Sequence, residues 1–187
     1  MIEINGEPLL HRTIRLLREN GIDDIVVTGD WKEMPAKTER QKEKECEIDR
    51  FYGIRHLFKE NNIVLYGDAY YTEKAIETIV LSPSLSFCGR FDRNEVKNYG
   101  ELFAIKFRGD EIVSYCKKLR DDFLAGKIRR CIGWELYRSM SLLPLNEHKI
   151  KSHLFVELPA DETEDFDKPE DYDKWIKKYG HKTSSNK

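Results

Sequence analysis

Residues 8–29 read PLLHRTIRLLRENGIDDIVVTG, and they combine the two patterns that decide the fold. In the first half, apolar residues recur at helical spacing and lie largely on one face: Leu9, Leu10, Ile14, Leu16 and Leu17. Pro8 suits the first turn of a helix and Gly21 suits its end, so we predict a helix over residues 8–20. The β-branched run at residues 24–28, which Gly29 ends, predicts a buried strand. A helix joined to a buried strand by a short link is typical of α/β proteins.

The same alternation continues along the chain. We predict further strands at residues 63–66, 85–91, 101–108 and 153–158. We predict further helices at residues 51–62, 72–81, 110–124, 131–140 and 169–179, with Thr72 as an N-cap. The charged residues 30–47 predict a solvated loop that leads into an exposed helix. The alternation predicts one α/β domain over residues 1–180 with a mostly parallel, helix-covered sheet, followed by a disordered tail at residues 181–187.

The composition excludes several classes of function. The 187 residues include 34 acidic and 32 basic side chains and carry a formal net charge of -2. This balance provides no basic field for nucleic-acid binding, so we expect no nucleic-acid partner. No apolar stretch approaches the roughly 18 residues that a membrane span needs, so we expect a cytoplasmic protein without membrane contact. The four cysteines lack zinc-ligand spacing, which favours reduced thiols.

Residues 63–73 read IVLYGDAYYTE and place an acidic residue, Asp68, where a buried strand ends. Ligand sites of parallel α/β sheets lie beyond the carboxyl ends of the strands, so Asp68 occupies a candidate site position. A second group of acids follows the strand at residues 153–158: Asp161, Glu162, Glu164, Asp165, Asp167, Glu170 and Asp171. Two carboxylates that meet across a sheet repel each other unless a cation lies between them, and Mg²⁺ with substrate phosphates meets that need. The pairing therefore predicts magnesium-assisted phosphoryl chemistry.

Each of these acids also has an interpretation that needs no ligand. Gly67 and Asp68 are typical of a tight turn. Asp167 precedes Pro169 and lies three residues before Glu170, which is a spacing typical of a helix N-cap. Asp165 lies outside the predicted helix and has no capping role, so it is the candidate ligand that is free of a structural duty.

Three segments, in this order, resemble one known superfamily. They are residues 3–30 (EINGEPLLHRTIRLLRENGIDDIVVTGD), residues 63–80 (IVLYGDAYYTEKAIETIV) and residues 155–175 (FVELPADETEDFDKPEDYDKW). All three are similar to segments of the GT-A-like nucleotidyltransferases, which include the sugar-phosphate and phosphocholine nucleotidyltransferases. The resemblance implies a Rossmann-like three-layer α/β/α fold with a mostly parallel sheet.

The resemblance also implies roles for individual residues. Asp68 would be the first magnesium ligand and would form the catalytic pair with Asp167, because DKPEDY at residues 167–172 is similar to the family's DTPEDY. Asp165 is the alternative second ligand, since capping would leave it free. By position, the candidates for substrate binding are Gly67, Arg90, Glu101 and Lys106, of which Arg90 or Lys106 would contact phosphate. The alternative interpretation of Arg90 is a loop charge, and that of Lys106 is a solvent-facing strand residue.

The reaction that the resemblance implies joins a nucleoside triphosphate to a phosphorylated small molecule such as a sugar phosphate or phosphocholine. A phosphate oxygen of the acceptor attacks the α-phosphorus, pyrophosphate leaves, and Mg²⁺ offsets the developing charge. The sequence departs from the family because it starts after the usual first strand and glycine-rich loop. That loop binds the triphosphate in the family, so we expect little or no transfer activity from the chain as given. The missing first strand would leave an exposed sheet edge, which favours a homodimer.

Two other functions stay open. A GT-A glycosyltransferase also places a metal-binding acid at a strand end, although its usual pair of acids separated by one residue is absent from GDAYY at residues 67–71. A non-catalytic nucleotide-binding or regulatory protein on the same fold would bind its ligand without turnover.

Overall fold

The computed structural model describes residues 2–40, 44–91, 100–147 and 153–180. Its helices are α1 Leu9–Glu19, α2 Glu47–Gly53, α3 Glu73–Leu81, α4 Val113–Leu124, α5 Gly133–Met140 and α6 Pro169–Tyr179. Its strands are β1 Glu3–Ile4, β2 Glu7–Pro8, β3 Val26–Thr28, β4 Lys37–Glu39, β5 Asn61–Leu65, β6 Ala69–Tyr70, β7 Ser86–Arg90, β8 Glu101–Arg108, β9 Phe155–Glu157 and β10 Glu164–Asp165. This mixture of helices and strands confirms the predicted α/β class. The predicted disordered tail at residues 181–187 lies outside the described residues.

The largest sheet has four strands in the order β5, β8, β7 and β9. β8 pairs antiparallel with both β5 and β7, whereas β7 and β9 pair in parallel. The prediction of a mostly parallel sheet is therefore wrong for the strand pairings. The difference arises from β8, because it returns antiparallel to β7 and lies between two strands that run in the same direction.

β8 contains an irregularity that changes which core its residues join. Its register against β7 shifts after Cys88, which lies opposite Ala104, because the next residue of β7 lies opposite Leu102. Phe103 is therefore the extra residue of a β-bulge. It packs in the cluster that contains Ala104, although regular alternation would place it with Ile105.

Two large apolar clusters form where helices pack against the strands of the sheet. One cluster combines Phe87 and Phe107 with residues of α2, α4 and α5. The other combines Cys88 and Ala104 with residues of α1 and α3. The alternative interpretation of Lys106 as a solvent-facing strand residue is therefore wrong, since Lys106 is half-buried and Ala104 beside it on the strand is fully buried.

Five predicted helices correspond closely to α1, α3, α4, α5 and α6, and Thr72 caps α3 as predicted. The predicted helix at residues 51–62 is wrong. Instead, α2 ends at Gly53, a 3-10 turn spans Arg55–Leu57, and β5 begins at Asn61. Apolar residues spaced by three positions suit a 3-10 turn as well as an α-helix, which explains the error.

α6 packs through one face onto the segment that precedes it. Trp175 is buried, its ring centroid lies 4.6 Å from that of Tyr70, and its indole N–H donates to the carbonyl of Glu162 at 2.7 Å. Phe166 and Tyr179 complete an aromatic cluster around this indole. The cluster fixes α6 against β6 and against residues 161–171, which we call the late acidic segment.

None of the helices within the described ranges is long and apolar enough to cross a membrane. The four cysteines are free thiols, and three of them are buried. Burial, with a smaller contribution from Cys46, raises the pKa of Cys116 to about 12. The buried thiols therefore pack as small apolar residues of the core.

We expect Trp175→Ala to lower the free energy of unfolding by about 3–5 kcal/mol, because it removes a buried ring from contact with Tyr70, Phe166 and Tyr179. Ile176→Ala is the matched control on the same helix. Its side chain is 37% exposed, so we expect a loss of less than about 1 kcal/mol. Urea unfolding followed by circular dichroism measures both variants, and equal losses would contradict the structural role of the aromatic cluster.

Candidate functional site

The carboxyl ends of β5 and β7 and the first residue of β8 lie at one rim of the sheet. Asp68 follows the end of β5, Arg90 ends β7, and Glu101 begins β8 directly opposite Arg90. β5 and β7 run in the same direction because both pair antiparallel with β8. This is the kind of rim at which α/β sheets place their ligands.

Gly67 and Asp68 form the turn between β5 and β6, and Tyr71 holds this turn from its buried side. The Tyr71 hydroxyl accepts the N–H of Tyr66 at 3.1 Å. It also lies 2.7 Å from the carbonyl oxygen of Phe103 and 3.0 Å from that of Tyr66, so it can donate to either one. Complete burial raises the pKa of Tyr71 well above its ordinary value, so the hydroxyl keeps its proton. The turn that carries Asp68 is thus tied to the bulge of β8.

β6 and β10 form a short antiparallel ladder that brings the late acidic segment to this turn. Asp165 lies opposite Ala69 in the ladder. Next to it, the N–H of Phe166 donates to the backbone carbonyl of Asp68 at 3.0 Å. The backbones of Asp68 and Asp165, which are remote in sequence, therefore lie beside each other at the rim.

The closest carboxylates at the rim are those of Glu101, Glu164 and Asp165, whose oxygens lie within 4.8 Å of one another. We call these three residues the carboxylate group. Within the described ranges, no other three acidic, histidine or cysteine side chains approach one another so closely. Asp68 and Asp167 lie outside the group, but their charges act on Asp165. The one signal for Glu164 in the sequence is its place in the acidic run, since nothing in the sequence marks the two-residue strand β10.

Burial and mutual repulsion raise the pKa values of two acids in the carboxylate group. Partial burial, followed by the charges of Asp167 and Glu164, raises the pKa of Asp165 to about 6. Partial burial, followed by the charges of Asp165 and Glu164, raises the pKa of Glu101 to about 7. The rim thus concentrates more negative charge than its own basic residues neutralise.

Arg90 binds the carboxylate group rather than facing an empty site. Its guanidinium donates to the carbonyl of Thr163 at 2.6 Å and to the Glu164 carboxylate at 3.0 Å. It also lies 3.5 Å from the Glu101 carboxylate. The predicted substrate contact therefore has its donors directed at protein oxygens.

Lys106 lies away from this rim. Its ammonium donates to the carbonyls of Val80 and Ser82 at 2.6 and 2.7 Å, where α3 ends. A lysine suits this position because it satisfies the last carbonyls of a helix. Lys106 is five positions along β8 from Glu101, so the two Cα atoms lie about 17 Å apart. The structure thus brings together the other predicted site residues, Gly67, Asp68, Arg90, Glu101, Asp165 and Asp167, but leaves Lys106 apart from them.

α6 is capped by different residues from those predicted. Its N-cap is Lys168, whose N–H donates to the Asp171 carboxylate at 3.2 Å, so the predicted capping by Asp167 and Glu170 is wrong. Pro169 fixes the first turn one residue later than the capping pattern implies. Asp167 is exposed, and its carboxylate has no hydrogen bond with the residues that the structure describes.

Two adjoining open cavities lie over the carboxylate group, with volumes of about 430 Å³ and about 390 Å³. The residues that line both cavities are Glu101, Glu164, Lys178 and Tyr179. Arg90 and Phe91 line the first, and Asp165, Asp167 and Lys174 line the second. Carboxylates, ammonium groups and aromatic rings therefore surround a space that suits a small charged ligand.

Comparisons with known proteins assign no family to the chain. No family model and no curated protein matches it. Among solved structures, HddC from Yersinia pseudotuberculosis is similar with 17% sequence identity and a TM-score of 0.47, over 96% of this chain and 88% of that chain. The same protein complexed with GMP-PN gives 16% identity and a TM-score of 0.48 over the same shares. At these values the likeness establishes neither a shared fold nor a shared function.

We expect Asp165→Asn to raise the midpoint of thermal unfolding near pH 8 in metal-free buffer, because it removes a repelled charge. Folding raises the pKa of Asp165 from 3.8 to about 6. The stability linked to this group is thus fully present below about pH 4 and is lost as the pH rises through about 6. The gain should therefore disappear near pH 4. Asp173→Asn, at an exposed position of α6, is the control, and a lowered midpoint for Asp165→Asn at pH 8 would count against the repulsion.

Proposed function

We propose that the carboxylate group, with Asp68 or Asp167, binds Mg²⁺ and that the chain is a nucleotidyltransferase-like protein. Its reaction transfers a nucleoside monophosphate from a nucleoside triphosphate to a sugar phosphate or phospho-alcohol and releases pyrophosphate. The observation that carries the proposal is the position of Asp165. Its backbone pairs with Ala69, the residue after Asp68, and its carboxylate belongs to the carboxylate group. The resemblance of three sequence segments to nucleotidyltransferases supports the same pairing of an early and a late acid.

The residues at the rim fit a magnesium ion. Mg²⁺ takes oxygen ligands and is commonly held by one or two carboxylates together with substrate phosphates and water. Asp165 supplies one carboxylate in this proposal, and Asp68 or Asp167 supplies another. Glu101 and Glu164 add negative charge. Burial, followed by mutual repulsion, raises the pKa values of Asp165 and Glu101, and a divalent cation would relieve that repulsion. When bound, the ion would supply positive charge that offsets the negative charge developing on the departing pyrophosphate.

Arg90 acts as a positioning residue in this proposal. Its bonds to the Glu164 carboxylate and the Thr163 carbonyl hold β10 against the end of β7. Its ring contact, with the guanidinium carbon 5.6 Å from the centroid of Phe103, adds a second restraint. Arg90 therefore keeps the acidic residues at the rim, and phosphate contacts fall to other cations.

The lining of the two cavities favours a phosphorylated acceptor. A phosphate monoester loses its second proton with a pKa near 6, so its oxygen is already a nucleophilic anion at neutral pH. The described residues that line the cavities include carboxylates but no histidine, and an acceptor oxygen that is already ionised needs neither as a base. Attack by a phosphate oxygen requires only orientation and charge compensation from the chain.

The proposal includes a three-layer, Rossmann-like architecture of the GT-A-like type. Its support comes from neighbouring residues of β7. Phe87 belongs to the cluster with α2, α4 and α5, whereas Cys88 belongs to the cluster with α1 and α3. Successive side chains of a strand point to opposite faces, which is the packing that a sheet between two helical layers requires.

Metal binding tests the first part of the proposal. We expect the wild-type chain to bind Mn²⁺, a paramagnetic substitute for Mg²⁺, in a titration followed by electron paramagnetic resonance. Asp165→Asn should weaken this binding by at least about tenfold, because it removes both a ligand and a negative charge. Asp173→Asn removes the same charge from the exposed side of α6 and should leave the affinity unchanged. Equal affinity in wild type and Asp165→Asn would rule out the proposed metal site.

Pyrophosphate release tests the reaction itself. Each of the four nucleoside triphosphates is assayed with Mg²⁺ and with sugar phosphates or phosphocholine as acceptors. We expect a slow wild-type reaction, because the 187 residues include no glycine-rich loop for the triphosphate. Asp68→Asn and Asp165→Asn should each lower that rate by about 100-fold or more, because each removes charge compensation at the reacting phosphates. An equal loss in Asp167→Asn would mark it as a further ligand. Turnover of a nucleotide sugar alone would favour a glycosyltransferase, and ligand binding without any turnover would favour a non-catalytic protein.

A further inference from the structure

The orientation of α6 decides which of its lysines face the carboxylate group. Trp175 and Tyr179 bury one side of the helix, and the Tyr179 hydroxyl lies 3.5 Å from the carbonyl of Asp161. Residues three or four positions apart lie on the same side of a helix. Lys174 and Lys178 each precede one of these two anchors, so they lie along one edge of the buried face.

This edge borders the cavities over the carboxylate group. Lys174 and Lys178 line the second cavity together with Asp165 and Asp167, and Lys178 also lines the first. Lys177 lies two positions beyond Trp175, which turns it by about 200° from the anchor at the 3.6-residue repeat of a helix. Lys177 accordingly lines neither cavity.

Lys178 also differs from the other basic residues near the rim in the partners of its charged group. The Lys174 ammonium pairs with the Asp171 carboxylate at 3.2 Å, and Arg90 donates to protein oxygens. The Lys178 ammonium instead lies 4.7 Å from the centroid of the Tyr179 ring, and it has no ion pair with any residue that the structure describes. A lysine beside several carboxylates, but bound to none, is placed to meet an anion that enters the cavity.

We propose that Lys178, supported by Lys174, binds a phosphate group of the ligand whose phosphates also contact the cation at the carboxylate group. This inference rests on the proposed function, because the cation is what makes an anionic ligand favourable among so many carboxylates. An ammonium on a flexible four-carbon stem suits a phosphate oxygen, since it acts as a compact point charge that follows its partner. The phosphate group can belong either to the nucleoside triphosphate or to the phosphorylated acceptor.

Calorimetric titration with inorganic pyrophosphate in the presence of Mg²⁺ tests the inference. We expect Lys178→Ala to weaken pyrophosphate binding by about tenfold or more, because it removes a charge-assisted hydrogen bond. Lys178→Arg should keep most of the affinity. Lys177→Ala, which makes the same change of charge at a position of α6 that lines neither cavity, should bind pyrophosphate like wild type. Mn²⁺ alone should bind Lys178→Ala at least as tightly as wild type, because no metal ligand is lost.

The same titrations separate failure of the inference from failure of the proposed function. Normal pyrophosphate binding by Lys178→Ala, with Mn²⁺ binding abolished in Asp165→Asn, overturns the role of Lys178 and leaves the metal site standing. Equal losses in Lys178→Ala and Lys177→Ala also overturn it, since they would report net charge alone. Absence of Mn²⁺ binding in wild type overturns the proposed function and this inference together. Titrations with a nucleoside triphosphate and with a phosphate monoester then identify which phosphate Lys178 binds.

Discussion

The β6–β10 ladder joins two residues of each strand, and the whole candidate site depends on it. Through this ladder Asp165 reaches the end of β5, and the Phe166 N–H reaches the carbonyl of Asp68. A ladder of this length contributes little stability on its own. It persists because Tyr71 fixes the turn on one side and the aromatic cluster around Trp175 fixes α6 on the other. Packing thus holds like charges in proximity, which is how proteins commonly maintain strained functional sites.

The acids of the late acidic segment have different roles. Asp161 accepts the N–H of Thr163 at 2.9 Å and the hydroxyl of Thr72, and Asp171 caps α6, so both carboxylates serve the fold. Asp165 lies between them in sequence, and burial and repulsion raise its pKa. Carboxylates that accept several hydrogen bonds are stabilised as anions, whereas one that is repelled is suited to a cation. The segment therefore places acids that serve the fold within a few residues of the acid proposed to bind a cation.

Local sequence signals predicted the helices whose ends carry characteristic residues. α3 and α6 each combine an apolar face with an N-terminal signal, Thr72 in one and Pro169 in the other. The position of β8 could not be predicted, because strand order depends on contacts between remote segments. The strand-end rule located Asp68 and Asp165, yet Glu164 and the paired lysines of α6 emerge only from tertiary contacts. Arg90 looked available in the sequence because its carbonyl and carboxylate partners lie far away along the chain.

The Tyr71 hydroxyl defines the path of the turn from inside, through Tyr66 and Phe103. The two residues at the tip are exposed, and neither adopts a positive φ, so the backbone conformation does not require these residue types. A Cβ on Gly67 would lie 3.3 Å from Cδ2 of Leu10, so the glycine is more restricted than Asp68. The residue that shapes the turn is therefore different from the acid at its tip, and the two can change independently in evolution. A descendant could exchange the acid at the tip for another side chain, and so change the charge at the rim, while its backbone stayed as it is. Selection acting on Tyr71 would then be selection for shape, and selection acting on Asp68 would be selection for charge.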